Sequence, residues 1–426
     1  LTLMLGTPSV TPCRPEQRTI GKLELPITYS LKGGPRKMRR DDPVYIGVMF
    51  SQTGWTAVTE KSMLSATMFA IDEINQSGGI NGRELIPVYR DPAGEPAAYK
   101  AMAADILADG KVKVILGCYT SSQRKAVLTA LDKEAGILCY PAQYEGFEYS
   151  ESAMYFGAVP NQNSLLLARY LLENHPPRIY IVGSDYIWPR ESGRIMGDLI
   201  RSGGGEVLGE RYLGQQAKRP EMDSLIADIM KCRPDIIFNN FVGQSNLDFY
   251  NAYAGNGLDA GQIMVASLTT SEADLQEIDP KAAVGHITAA TYFASQANPA
   301  NIFLLERYKT ARGEPAHTNM CWDAAYTQTH MVAQAMRNGS ADSIGSIRAG
   351  ILGTSFEAPQ GRVAIDPSNL HCYVWPKIGI VRSDGQFDIV AQTKNAIRPN
   401  PYMTTYSINS DEKTAAETIS HTPEWT

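Results

Sequence analysis

A chain of 426 residues, 43% hydrophobic and 20% charged, is long enough for two or more domains with sizeable cores. Its net charge of −6 gives no electrostatic reason to expect nucleic acid or an anionic membrane as partner. No apolar run approaches the roughly 20 residues that cross a bilayer.

Residues 1–42 carry no sustained period and read as an N-terminal arm, with Lys37-Met-Arg-Arg40 as a solvated basic cluster. Leu1-Thr-Leu-Met-Leu5 is too short for a secretory signal. The expected compartment is the cell envelope or periplasm if a signal has been removed, and otherwise the cytoplasm. Val44-Tyr-Ile-Gly-Val-Met-Phe50 predicts a buried strand, followed by a helix over 60–76. A strand follows over 85–89, where Pro87 argues for a sheet edge. Then come a helix over 97–107, a strand over 112–116, a helix over 121–134 capped by Thr120 or Ser121, and a strand over 137–140.

The rhythm restarts with a strand over 179–182, the loop Gly183-Ser-Asp-Tyr-Ile-Trp-Pro-Arg190 and a helix over 192–201. Strands over 207–212, 235–238, 263–266 and 286–292 alternate with helices over 222–231 and 246–254; helices over 303–311 and 322–337 close the pattern. From about Asn395 the chain is again irregular. Each half alternates strand and helix, which predicts α/β folding with parallel sheets flanked by helices. The irregular arms are expected to order by packing on the chain's own body or on further copies of it, which predicts a homo-oligomer.

In such folds the loops at the carboxyl ends of the strands converge on one site. The candidates are Ser51-Gln-Thr-Gly-Trp55, Gly117-Cys-Tyr119-Thr-Ser121-Ser122, Tyr140-Pro-Ala-Gln143-Tyr144-Glu145-Gly-Phe147, Ser267-Leu-Thr269-Thr270-Ser-Glu272 and the 183–190 loop. Tyr119, Tyr140, Tyr144, Phe147, Tyr186 and Trp188 exceed what turns require and suit the walls of a pocket for a small, planar, uncharged ligand. Ser121 sits where a helix begins, and its hydroxyl with the exposed N–H groups there would grip an oxygen. Asp185, Glu145 and Glu272 are each read as a candidate partner for an amino group, and Glu145 and Glu272 alternatively as solvated or capping charges; Arg190 is read as a structural ion-pair partner.

No GxSxG, HExxH or GxxxxGK[ST] motif is present, so no catalytic residues are expected and the chain is not read as an enzyme. Cys13, Cys118, Cys139, Cys232, Cys321 and Cys372 form no CxxC pair, and the six histidines lack ligand spacing, so neither a metal nor a cofactor is expected. The cysteines are read as buried free thiols, with a Cys118–Cys139 pair left open.

The segments Gly117-Cys-Tyr119…Arg124-Lys-Ala-Val127, Tyr140-Pro…Tyr144-Glu-Gly-Phe-Glu-Tyr-Ser150, Pro160-Asn-Gln-Asn163, Gly183-Ser-Asp-Tyr…Pro-Arg190 and Ser267-Leu-Thr-Thr-Ser-Glu272 closely resemble the amide- and urea-binding branch of the type I periplasmic binding proteins. That branch holds the short-chain amide sensor of amidase operons and the solute receptors of urea and amide ABC transporters. The resemblance runs from about Val44 to Tyr402. It implies two Rossmann-like lobes joined by three crossovers near 160, 289 and 361, with the ligand cleft between them. Lobe 1 would comprise 43–160 and 290–361, lobe 2 would comprise 161–289 and 362–396, and a C-terminal arm would cover 397–426.

By resemblance the pocket falls on Tyr119, Ser121, Tyr140, Gln143, Tyr186, Trp188 and Thr269. Ala142-Gln143 stands where the amide sensor has Thr-Pro, and Trp188 where it has a tyrosine. Tyr-Pro-x-Gln-Tyr-Glu-Gly and Asn239-Asn-Phe-Val-Gly-Gln-Ser-Asn246 look more like the urea receptors, whereas 267–272 leans toward the sensor. The function implied is binding of a short aliphatic amide or urea for uptake through an ABC-transporter permease. The alternative is a regulatory amide sensor that controls a partner protein, and less favoured is an amide hydrolase.

Overall fold

Alternating strands and helices build two sheets from one chain. The computed structural model describes residues 42–134, 136–313 and 318–409, all within one unit of the chain, 33–426. The first run is β1 (Val44–Met49), α1 (Ala57–Gln76), β2 (Leu85–Arg90), α2 (Pro96–Leu107), β3 (Val114–Gly117), α3 (Ser121–Glu134), β4 (Ile137–Tyr140) and β5 (Ala153–Tyr155). The second is α4 (Ser164–Asn174), β6 (Arg178–Ser184), α5 (Ile187–Ser202), β7 (Glu206–Leu213), α6 (Arg219–Cys232), β8 (Ile236–Asn240), α7 (Gln244–Gly255), β9 (Met264–Ser267), α8 (Glu272–Leu275), α9 (Pro280–Ala283) and β10 (Ile287–Ala290). The last is α10 (Pro299–Arg312), α11 (Met320–Asn338), α12 (Ile344–Leu352), β11 (Ser355–Ala358), β12 (Gly361–Asp366), β13 (His371–Cys372), β14 (Lys377–Val381) and β15 (Phe387–Gln392).

The first sheet runs β11-β12-β13-β5-β4-β3-β1-β2 and the second β15-β14-β10-β9-β8-β6-β7. Strands β1 to β5 pair in parallel with one another, and so do β6 to β10. These are the strands whose continuous apolar runs predict burial on both faces: Ile46, Val48, Ile115 and Leu116 are fully buried, as are Ile237, Phe238 and Val265. The antiparallel pairs come late in the chain, at β11–β12, β12–β13, β10–β14 and β14–β15. Pro87 lies in β2, the outermost strand of its sheet, where its missing N–H breaks no ladder.

The chain leaves the first sheet after β5, returns after β10 and leaves again between β13 and β14. The third crossing therefore lies beyond Cys372 and not near 361. Residues 361–366 and 371–372 pair as β12 and β13 and stay with the first sheet, because β13 extends it beside β5 through His371 and Tyr155.

Of the N-terminal arm 1–42, only Asp42 is among the described residues. Residues 397–409 of the C-terminal arm pack on the chain's own body. Ile397 N–H donates to the Val374 carbonyl (2.8 Å), Phe147 N–H to the Pro401 carbonyl (2.8 Å), and Met403 and Tyr406 are buried. No described helix is long and apolar enough to cross a membrane.

Candidate ligand cleft

In each sheet the order reverses around one strand: β1 lies between β2 and β3, and β6 between β7 and β8. Those reversals open a crevice at the carboxyl ends of the strands. The loops after β1 and β3 on one side, and after β6 and β8 on the other, stand at these positions.

The β3–α3 loop is held from below. Gly117 lets it approach β1, since a Cβ there would sit 2.7 Å from the Met49 carbonyl, and Cys118 N–H donates to that carbonyl at 3.1 Å. Cys118 itself has φ of +69°, a left-handed conformation that costs a non-glycine residue strain. Thr120 Oγ1 caps α3 by accepting from Gln123 N–H at 3.3 Å. Gln123 Oε1 accepts in turn from Tyr119 N–H (2.8 Å) and Thr120 N–H (2.9 Å), and its Nε2 donates to Glu60 Oε1 at 3.2 Å. Glu60 is fully buried, accepts from Ser51 N–H at 2.6 Å and from the Tyr99 hydroxyl, and has its pKa raised by burial. Glu60 and Gln123 thus fix the loop; Thr120-x-x-Gln123 is a capping box legible in the sequence, whereas no local pattern marks Glu60.

Tyr119, Ser121 and Tyr140 come together on this side. Tyr140 donates its hydroxyl proton to the Tyr119 carbonyl at 2.6 Å, and all three side chains are buried. Beneath them lies Arg124, with no exposed surface, donating from Nε to Glu148 Oε1 (2.7 Å), from Nη2 to Glu145 Oε1 (3.3 Å) and from Nη1 to Ser121 Oγ (3.2 Å). Its guanidinium carbon stands 4.3 Å from the Tyr144 ring centre and 4.7 Å from that of Tyr140. Tyr144 and Tyr155 stack (5.0 Å), and His371 stacks on Tyr155 at 4.2 Å. Glu148 has its pKa moved to about 2: burial opposes the charge, but Arg124 and Lys125 outweigh it. Burial holds His371 down at about 4.

Glu145 and Glu272 are therefore not solvated charges. Glu145 is 4% exposed and Glu272 1%. Glu272 accepts from Ala294 N–H at 2.7 Å, and burial raises its pKa to about 8. Asp185 is exposed and paired with Arg190 at 2.6 Å, which accounts for both residues on the surface.

On the facing side, Tyr186 precedes α5 and is half-buried. Burial pushes its phenol pKa well up, and Tyr140 and Glu145 across the cleft add to the shift. Burial likewise raises that of Tyr119, with added effect from Cys321, Asp274 and Tyr186. Trp188 belongs to the first turn of α5 and not to a loop, and it is 5% exposed. Pro189 is tolerated there because N–H groups in a first turn have no helical partner. Thr269 Oγ1 donates to the Phe241 carbonyl at 3.0 Å and lies 3.1 Å from Ser267 Oγ.

Among the hydrogen bonds that join the sides are two between the cleft loops. Gln143 Nε2 donates to the Leu268 carbonyl, beside Thr269, while its Oε1 accepts from Asn163 Nδ2 at 2.8 Å. Gln244 N–H donates to the Trp55 carbonyl at 2.9 Å. Gly243 permits this second contact: its φ of 56° and ψ of −136° suit glycine alone, and a Cβ would stand 2.3 Å from the Trp55 oxygen. Cys118, Cys139, Cys321 and Cys372 are buried free thiols, Cys232 is an exposed one, and Cys13 lies outside the described residues. Among the described residues no three His, Cys, Asp or Glu side chains gather as a metal ion would need.

The family model for the periplasmic binding protein domain matches residues 44–408. The Leu/Ile/Val-binding protein homolog 6 of Brucella melitensis is 25% identical over 343 residues, covering 78% of this chain and 85% of the relative. The fold is similar to that of an R. palustris ABC-transporter solute binding protein in complex with 4-hydroxybenzoate, with TM-score 0.76 at 21% identity over 84% of this chain and 98% of that one. It is also similar to the branched-chain amino acid transporter substrate binding protein LivJ of Streptococcus pneumoniae in complex with isoleucine, with TM-score 0.70 at 16% identity over 84% of this chain and 100% of that one. Two α/β lobes with a cleft between them, and a family model spanning nearly all of the described residues, place the chain in the periplasmic binding protein domain family, as a solute-binding protein and not an enzyme.

Proposed function

We propose that this protein closes its two lobes on a short-chain aliphatic amide or urea and delivers it to an ABC-transporter permease. The observation that carries the choice of ligand is the state of Arg124. It is the buried cation beside Ser121 and Tyr140, and it is already matched by Glu145 and Glu148 at 3.3 and 2.7 Å. A free carboxylate, such as those of isoleucine and 4-hydroxybenzoate in the similar structures, would meet two glutamates and no spare positive charge. A neutral amide avoids that cost. Tyr119, Ser121, Tyr140, Tyr186, Trp188 and Thr269 would enclose it, and the segments resembling the amide and urea branch support the same reading.

Calorimetric titration with urea, formamide, acetamide, leucine and 4-hydroxybenzoate tests it. Saturable binding of an amide or urea, with the two acids at least tenfold weaker, is expected. Tighter binding of leucine or 4-hydroxybenzoate would refute it. Release of ammonia from any bound amide would contradict the assignment as a binding protein.

A further inference from the structure

Ser121 has one hydroxyl proton, and it is already committed. Ser121 Oγ donates to Glu145 Oε2 at 2.5 Å and accepts from Arg124 Nη1 at 3.2 Å. The hydroxyl therefore has no proton left for a ligand carbonyl while this triad stands. Glu145 is in the opposite position. An ionised carboxylate offers about four acceptor sites, and Ser121 and Arg124 Nη2 occupy two of them. The side chain is 4% exposed, so no bulk water serves the rest. It is bonded to Ser121, the first residue of α3, which follows β3 at the carboxyl end of the sheet where the cleft opens.

We propose that Glu145 is the residue that selects the ligand's nitrogen, accepting an N–H from a neutral amide and repelling the carboxylate of the same shape. Ser121 is then a positioning residue: it orients Glu145 with its proton and leaves the ligand oxygen to the N–H groups at the start of α3. The proposal rests on the amide reading given above and deepens it. The charges agree. Arg124 is balanced by Glu145 and Glu148, and Lys125, half-exposed, pairs with Glu148 at 2.9 Å. Cancelling the charge of Glu145 leaves this group with one net positive charge facing the cleft.

Acetamide and acetate isolate the effect, because they differ only in NH₂ against O⁻. Wild type should bind acetamide and discriminate strongly against acetate. Glu145→Gln keeps the shape and leaves Arg124 its closer partner, Glu148. It should weaken acetamide about 10- to 100-fold, the range for a hydrogen bond to a charged group, and should bring acetate to equal or tighter binding than acetamide. Ser121→Ala removes the hydroxyl that orients Glu145 and should weaken acetamide more than acetate, by a smaller factor than Glu145→Gln. Folding of each variant is checked by its thermal transition.

A folded Glu145→Gln protein with the wild-type acetamide-to-acetate ratio overturns the proposal while leaving the amide reading intact. Should Glu145→Gln fail to fold, an unchanged acetamide-to-acetate ratio in Ser121→Ala would overturn it instead. A wild type that binds neither acetamide nor urea removes the amide reading, and this assignment with it.

Discussion

Gly243→Ala should loosen the closed cleft without touching the ligand. An added Cβ would sit 2.3 Å from the Trp55 carbonyl oxygen and 3.3 Å from Thr56 Cα. Both neighbours are backbone, so neither can swing away as a side chain would. A carbon and an oxygen rest comfortably at about 3.3 Å, so the β8–α7 loop must retreat by about 1 Å. That retreat breaks the 2.9 Å bond from Gln244 N–H to Trp55 O, a net loss of about 0.5–1.5 kcal/mol. Because the contact exists only with the lobes together, the loss falls on closure. Affinity should drop roughly 2- to 12-fold. Alanine also strains the backbone at φ of 56° and ψ of −136°, by about 1–3 kcal/mol. That strain is present with the lobes open or closed, so it lowers the unfolding midpoint and not the affinity. Calorimetry with the amide that wild type binds measures the first effect, and small-angle scattering follows lobe separation. A variant with wild-type affinity and an unchanged scattering curve in saturating amide would refute the reasoning.

Arg124→Met leaves Glu145 and Glu148 buried without their cation and should cost about 3–5 kcal/mol of stability; a denaturant midpoint close to that of wild type contradicts it. Gln143→Ala removes the bond to the Leu268 carbonyl and should weaken every bound amide alike, by about 0.5–1.5 kcal/mol; a changed rank order among amides would show instead that Gln143 reads the ligand. Burial holds His371 at about 4, below the ordinary imidazole value of 6.5. The unfolded chain therefore binds a proton at higher pH than the folded one. Its contribution is fully present above about pH 6.5 and is lost as pH falls through about 4, on the order of 3 kcal/mol in all. Unfolding midpoints at pH 7 and pH 5 should differ less in His371→Gln than in wild type; equal differences count against this assignment.

Much of the parallel core is legible in the chain because it writes itself locally. Apolar runs such as those of β1 and β3 need no distant partner to be recognised, and Pro87 announces its edge by lacking a donor. The loops after β3 and β4 are equally visible, since Tyr119, Ser121 and Tyr140 fall at strand ends. What stays hidden depends on distance. Glu145 resembles any loop glutamate until Arg124 closes on it. Arg124 resembles any helical arginine until Tyr140, Tyr144, Glu145 and Glu148 enclose it. His371 reaches its stacking partner Tyr155 only through the pairing of β13 with β5. The third crossing is misplaced for the same reason: β13 is only two residues long, and nothing local states which sheet it and β12 join. Trp188 is misread for a different one. Pro189 looks like a helix breaker, yet a first turn accepts it.

The late return of β13 to the first sheet bears on how the protein is made. Strand β5 has β4 on one side and waits for His371 on the other, so through most of synthesis its outer edge has no partner. The strands β6 to β10 emerge during that interval and complete a parallel core of their own. An unpaired strand edge is a template for wrong pairing. The ribosome thus delivers a nascent second lobe beside an unfinished first one, and a helper that shields β5 until residue 372 emerges would govern the yield of native protein.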